Sequence, residues 1–189
     1  MKKIVLTLLL LLTSSAYSET INGYTLPPEP NSTMNNSTLF GIDSNKNGVR
    51  DDVERYIIMR FQGFENALVD RSIALQYAKA TQIVIQNPEM AWENKTYEVM
   101  EKVSDCKWYY YDTYLKDIKS YREGALYRQQ HRIFDAELKD KIFNTRERLE
   151  AYLNYNDDLS GHVFDDSDEN KEKCDFDIDS LLKGNKKTL

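Results

Sequence analysis

Apolar side chains recur every three or four residues along much of the chain, and this spacing limits the fold more than any other feature. One stripe comprises Val53, Ile57, Phe61, Phe64 and Leu68. A second comprises Val99, Val103, Cys106, Tyr110, Tyr114, Ile118, Tyr121 and Ala125, and a third comprises Phe134, Leu138, Ile142, Leu149 and Leu153. Such spacing gives a helix one apolar face. Strand-like alternation is nearly absent, so the sequence predicts an all-α fold, an antiparallel bundle of about four or five helices.

The first 18 residues have the pattern of a secretory signal peptide. Lys2 and Lys3 precede an apolar run at 4–12, and Ala16-Tyr17-Ser18 supplies small residues for cleavage. The apolar run is too short to cross about 30 Å of hydrocarbon. We therefore expect a periplasmic or secreted protein with no stable membrane anchor after signal cleavage.

Composition divides the remaining chain into three parts. Residues 19–42 are rich in Pro, Asn, Ser and Thr and predict an extended arm. Residues 43–160 form the predicted helical domain, and residues 161–189 an acidic C-terminal segment. The formal charge of −6 argues against a nucleic-acid partner, because phosphate backbones are bound by clustered Lys and Arg.

Residues 43–54, at the start of the helical domain, carry oxygen-bearing side chains at the ligand positions of a calcium loop. Asp43, Asn45, Asn47 and Asp51 stand at positions one, three, five and nine, and Glu54 stands at position twelve. Ca²⁺ takes roughly six to eight oxygen ligands, and such a loop turns sharply at a glycine in position six, which is Gly48 here. Val49 would add its backbone carbonyl at position seven. The pattern predicts one bound Ca²⁺, with Asp51 binding directly or through water.

The loop departs from a regular EF-hand, because Arg50 occupies position eight, where an apolar residue is usual, and no entering helix is predicted before it. The pattern instead resembles the calcium loops of thrombospondin type 3 repeats, which place valine after the glycine and an acid two residues later. That resemblance covers about a dozen residues and implies calcium but no activity. Tandem copies, which those repeats have, are missing. The chain as a whole resembles small secreted proteins of Gram-negative bacteria, which implies no activity either.

Another interpretation of the loop needs no metal. Acidic residues at the start of a helix are favoured by the helix dipole, and Asn-rich turns with glycine are ordinary connectors. With three carboxylates among its ligands, a calcium site here is expected to bind with a dissociation constant on the order of 10⁻⁴ to 10⁻⁵ M.

The chain has two cysteines, Cys106 and Cys174. An oxidising compartment favours pairing them, although two separate buried thiols are the alternative. We predict a disulfide that ties the C-terminal segment to the helical body.

Other patterns predict sites less strongly. His162 with Asp165 and Asp168 could form a zinc site, but stable zinc sites favour His and Cys ligands. Asp175, Asp177 and Asp179 alternate like the start of a second calcium loop, but no glycine follows. The aromatic run 108–111 with Tyr114 could be a binding surface or could be divided between core and surface.

No catalytic constellation is visible in the sequence. We therefore expect an exported, non-enzymatic protein that binds another protein, for example an inhibitor or immunity protein, with a structural calcium site. The alternative is a small calcium-dependent periplasmic hydrolase that uses an acid such as Glu65 or Asp70 beside the loop. Neither acid has a recognisable catalytic partner in the sequence.

Overall fold

The computed structural model describes residues 19–21, 23–64, 66–115, 120–164 and 170–185. Within this part of the chain there are seven α-helices, and five of them have ten or more residues. The helices are α1 (Ser32–Asn35), α2 (Asp51–Arg60), α3 (Ala67–Val84), α4 (Glu98–Tyr109), α5 (Tyr121–Ile142), α6 (Arg146–Asp158) and α7 (Ile178–Asn185). The predicted all-α, bundle-like fold is confirmed. The predicted signal peptide, residues 1–18, lies outside the described residues, as does Glu65.

The N-terminal arm is more ordered than its Pro-rich composition predicts. Strands β1 (Thr20–Ile21) and β2 (Tyr24–Thr25) pair antiparallel, with Thr20 opposite Thr25. Leu26 follows β2 and is 2 % exposed, and α1 comes next. The arm therefore packs on the helical body, because a buried apolar side chain anchors it.

All three predicted apolar stripes are broken in the structure, the first of them where α2 ends at Arg60 and α3 begins at Ala67. α4 ends at Tyr109 and continues as a π-helical turn over Tyr110–Leu115, and α5 begins anew after Ser120, whose side chain forms a capping box with Glu123. Thr145 likewise caps the start of α6. The break before α6 turns the third stripe away from the core, so that Leu149 and Leu153 are 46 % and 51 % exposed.

The apolar core has three clusters. The first joins α3, α4, α5 and α7 and contains Cys106 and Cys174, which form the predicted disulfide. The second joins residues 49–61 to α3 and α5, and the third lies where α6 packs on residues 84–100. A disulfide is compatible with an oxidising compartment. None of the helices in the described ranges combines the length and apolar character that a membrane crossing requires.

Candidate functional site

Residues 43–50 fold into a tight turn that leads into α2. The carboxylate of Asp43 accepts hydrogen bonds from the backbone N–H groups of Asn47, at 3.2 Å, and of Gly48, at 2.9 Å. Gly48 has a φ of +87°, and a Cβ there would lie 3.2 Å from Cγ of Lys79 on α3. Both the backbone angle and the close approach to α3 explain why glycine stands at this position.

Glu54, one turn into α2, closes the loop from the other side. Its Oε2 accepts hydrogen bonds from the side-chain amides of Asn45, at 3.0 Å, and Asn47, at 2.9 Å. Asp51 is also buried, and its Oδ1 accepts a hydrogen bond from the backbone N–H of Ser44 at 2.9 Å. The turn thus brings all five predicted side-chain ligands close together at the start of α2.

The electrostatic environment of Glu54 disfavours its negative charge. Glu54 is 3 % exposed, and in the described part of the chain it has no ion pair with Lys, Arg or His. Burial raises the pKa of Glu54 above its ordinary value; hydrogen bonds from Asn45 and Asn47 oppose the rise, and the charges of Asp51 and Asp43 add to it. Because the folded-state pKa is raised, this group stabilises the fold at low pH, and that contribution is lost as pH rises through the folded-state pKa.

The loop as it stands is held by hydrogen bonds rather than by metal-ligand geometry. Among the residues that the structure describes, no three or more His, Cys, Asp or Glu side chains are grouped so that they could hold a metal ion. The amide oxygens of Asn45 and Asn47 accept hydrogen bonds from the backbone, from Asn47 N at 3.1 Å and from Val49 N at 2.8 Å. Their amide nitrogens face Glu54. To ligate a cation beside Glu54, both Asn side chains would have to rotate, because only the amide oxygen can act as a ligand.

The remaining predicted ligand, Val49, also has a structural role that the sequence pattern does not specify. Its side chain is 3 % exposed and packs with Val53, Ile57 and Leu138 in the second core cluster. The turn is therefore fixed to the apolar core by the residue that follows its glycine.

Arg50, which departs from the EF-hand pattern at position eight, is buried and forms a polar connection to α5. Its guanidinium donates to the carbonyl oxygens of Ile142, at 3.1 Å, and Lys141, at 2.7 Å, at the C-terminal end of α5. A cation is favoured at that end by the helix dipole. Arg50 also pairs with Asp52 at 2.5 Å. Burial alone would raise the pKa of Asp52, but its contacts with Arg50 and the charge of Lys141 lower it below the ordinary value.

A second buried arginine, Arg148 on α6, holds the arm that precedes the loop. Its side chain is fully buried and donates to the backbone oxygens of Asn35, at 2.5 Å, Thr38, at 3.0 Å, and Leu39, at 3.0 Å. It also donates to the side-chain oxygens of Asn36 and Asn144. Burial and the nearby charge of Arg50 lower the pKa of Arg148 to about 10, so Arg148 is a cation at neutral pH. The two arginines together fix both ends of the segment between α1 and α2.

The weaker sequence candidates lie in ordinary structural surroundings. Asp175 pairs with Lys102, Asp177 accepts hydrogen bonds from Ser180 at the start of α7, and Asp179 is bonded by Tyr114 and Lys171. These contacts favour a structural role over a second calcium loop.

The proposed zinc ligands Asp165 and Asp168 lie outside the described residues, and His162 stacks on Trp92 with ring centroids 3.9 Å apart. The aromatic run is divided: Tyr110 and Tyr111 are core residues and Trp108 is 47 % exposed.

Asp70 contacts residues that the sequence did not connect with it. A hydrogen bond from the Tyr127 hydroxyl reaches its Oδ1, and its Oδ2 lies 3.6 Å from Nε2 of His131. These partners are on α5, and none belongs to residues 43–54. Asp70 is far in sequence from Tyr127 and His131, so no local pattern predicts that they meet. The local signal is a histidine within an otherwise ordinary helical stretch.

Comparisons of this chain with models of protein families, with curated proteins and with solved structures find no match.

Proposed function

We propose that this chain is an exported, non-enzymatic helical protein in which residues 43–54 bind one structural Ca²⁺, and that it acts by binding another protein. The observation that carries the calcium part is Glu54, a buried acid at position twelve of the loop with two further acids near it and no ion-pair partner in the described chain. A buried carboxylate is expected to be paired or to coordinate a metal. Ca²⁺ suits a site made of carboxylate, amide and carbonyl oxygens.

The proposed role of calcium is to stabilise one arrangement. Arg50 and Arg148 already fix the segment around the loop to α5 and α6, so the loop does not lie between two helices that could open. A switch needs two arrangements that the ion favours differently. We therefore expect calcium to raise thermal stability with little change in helix content.

Calcium-stripped protein is expected to bind about one Ca²⁺, and Glu54→Gln is expected to lose most of the affinity, because it replaces a charged two-oxygen ligand with a neutral amide. At calcium a hundredfold above the dissociation constant, wild-type stability is expected to rise by about 2.7 kcal/mol. In chelator at neutral pH, Glu54→Gln is expected to be at least as stable as the wild type, because the variant carries no buried charge at this position. Calorimetry and thermal melts by circular dichroism measure both effects.

A matched control is Glu93→Gln, which makes the same charge change at an exposed position and is expected to bind calcium like the wild type. No heat of binding at millimolar calcium in folded wild-type protein would falsify the calcium site. A large calcium-driven gain of helix would instead favour a switch over a structural role.

Exposed aliphatic side chains support the protein-binding part. Leu149 and Leu153 are four residues apart on α6 and are both about half exposed, so they share one face. Leu126 and Ile133, each 53 % exposed, are seven residues apart on α5 and also share a face. Apolar faces of this kind mark candidate interaction surfaces.

If α6 carries the protein-binding surface, the double variant Leu149→Lys with Leu153→Lys is expected to lose a partner that co-purifies with the wild type. The comparison variant places the same two charges at Asn154 and Asn156, exposed positions of the same helix, and is expected to keep the partner. Affinity purification followed by mass spectrometry gives the readout. Equal retention by both variants would reject the α6 surface.

A further inference from the structure

A cavity opens between α3, α4 and α5, apart from residues 43–54. Its volume is about 240 Å³. Most of its wall is apolar or aromatic, formed by Phe61, Ile73, Val103, Tyr111, Phe134 and Leu138. A pocket of this lining favours the apolar body of a small molecule.

The wall carries two neighbouring polar atoms that have no hydrogen-bond partner among the described residues, and the hydroxyl of Tyr77, which also lines the cavity, is a third. Oδ2 of Asp70 and Nε2 of His131 are buried and have no hydrogen-bond partner in the described structure, and they lie 3.6 Å apart. The side chains are 1 % and 7 % exposed. Buried polar groups are nearly always hydrogen-bonded, and each exception calls for an explanation.

Both side chains are held in place by their neighbours. Tyr127 donates to the other oxygen of Asp70, and the hydroxyls of Tyr127 and Tyr110 lie 3.2 Å apart. The His131 ring stacks on Tyr127 with centroids 4.2 Å apart and lies 6.0 Å from the ring of Phe61. The two free atoms therefore keep a fixed position on the cavity wall, as a preorganised recognition site requires.

A single hydroxyl group satisfies both atoms. It donates its proton to Oδ2 of Asp70 and accepts a hydrogen bond from the N–H of His131 when Nε2 carries the proton. An ammonium group could also bind Asp70, but the cavity rim carries Lys107 and Lys139 against Asp135. Lys107 already pairs with Asp135 at 2.5 Å, and Lys139 balances the charge of Asp70, so the lining has no net negative charge to favour a cationic ligand.

We propose that this cavity binds a small aromatic or alicyclic alcohol, with its ring between Phe61, Tyr111 and Phe134 and its hydroxyl on Asp70 and His131. The rim residues Asp135 and Lys139 are accessible to solvent, which gives the ligand a way in. This site goes beyond the proposed calcium and protein-binding functions and depends on neither of them.

The test compares benzyl alcohol with toluene, which has nearly the same shape but lacks the hydroxyl. Titration of full-length protein, followed by NMR shifts of residues around the cavity, is expected to show saturable binding of benzyl alcohol at least about tenfold tighter than that of toluene, because a site that hydrogen-bonds a hydroxyl rejects an analogue without it. His131→Phe keeps an aromatic ring in the stack and is expected to remove this preference.

Several results would overturn the proposal. Equal affinities for the two probes would show an apolar cavity only, with ordered water on Asp70 and His131. Absence of saturable binding by folded wild-type protein would show that the cavity is not a ligand site. An unchanged preference in a folded His131→Phe variant would place the hydroxyl elsewhere. If that variant does not fold, the wild-type comparison and Asp70→Asn, which is expected to weaken benzyl alcohol binding more than toluene binding, decide the question.

Discussion

Replacement of Arg148 by Met is expected to lower the free energy of unfolding by about 3–5 kcal/mol, because it leaves several buried or partly buried acceptors without a donor, each at a cost of about 1–3 kcal/mol before the site relaxes. The backbone oxygens of Asn35, Thr38 and Leu39 would lose their donor. Buried acceptors left without a donor are costly, and Met fills the space without replacing any of these bonds. Urea denaturation monitored by circular dichroism measures the change.

Arg146 offers a matched control two residues earlier in α6. Its side chain is 84 % exposed and pairs with Glu150 on the surface, so Arg146→Met is expected to change stability by less than about 0.5 kcal/mol. Similar losses in the two variants would mean that the contacts of Arg148 with the arm contribute little. The interpretation of Arg148 as the anchor of the arm would then be wrong.

Loss of the disulfide is expected to be the second large effect. Cys106 and Cys174 are 68 residues apart in sequence, and the chain-entropy estimate for a loop of this length is about 4 kcal/mol. Both cysteines lie in the core cluster that also contains Ile178 and Leu182 of α7. Reduction, or Cys106→Ala with Cys174→Ala, is therefore expected to loosen residues 170–185 more than α3 and α5.

Hydrogen exchange of oxidised and reduced protein resolves this difference by segment. The double alanine variant serves as its own control, because added reductant should leave its melting temperature unchanged. If both thiols react with a labelling reagent in folded, unreduced protein, the disulfide itself is refuted. A uniform loss of amide protection across all helices would contradict the expected local effect of the disulfide, but not its existence.

The features that the sequence predicts are those that depend on the spacing of residues close together in the chain. The all-α class follows from apolar side chains at three- and four-residue intervals, and the sharp turn at Gly48 follows from the pattern around it. The break before α5 has one local signal, the capping-box spacing of Ser120 and Glu123, which by itself does not outweigh the apolar pattern around it. Continuous apolar periodicity across the break hides it.

The parts that sequence misses depend on residues far apart in the chain. Arg148 binds three backbone oxygens and Arg50 binds two. Every residue carries such an oxygen, so no residue pattern marks these partners. Arginine is mostly exposed in proteins, and composition therefore favours a surface position for both. Asp70 and His131 meet only because α3 packs near α5, and a single sequence does not show such pairs.

Because Arg148 binds main-chain oxygens of the arm, these contacts limit which changes in sequence the arm tolerates. A diverged chain could carry other residue types around position 39 and still present the same carbonyl groups. An insertion or deletion between residues 35 and 39 would shift the carbonyls at 38 and 39 relative to the one at 35. Gly41 is equally restricted, because it has a φ of +66° and a Cβ there would clash with Cδ of Arg50. Segment length and one glycine, rather than composition, are therefore the features by which a distant relative of this arm should be sought.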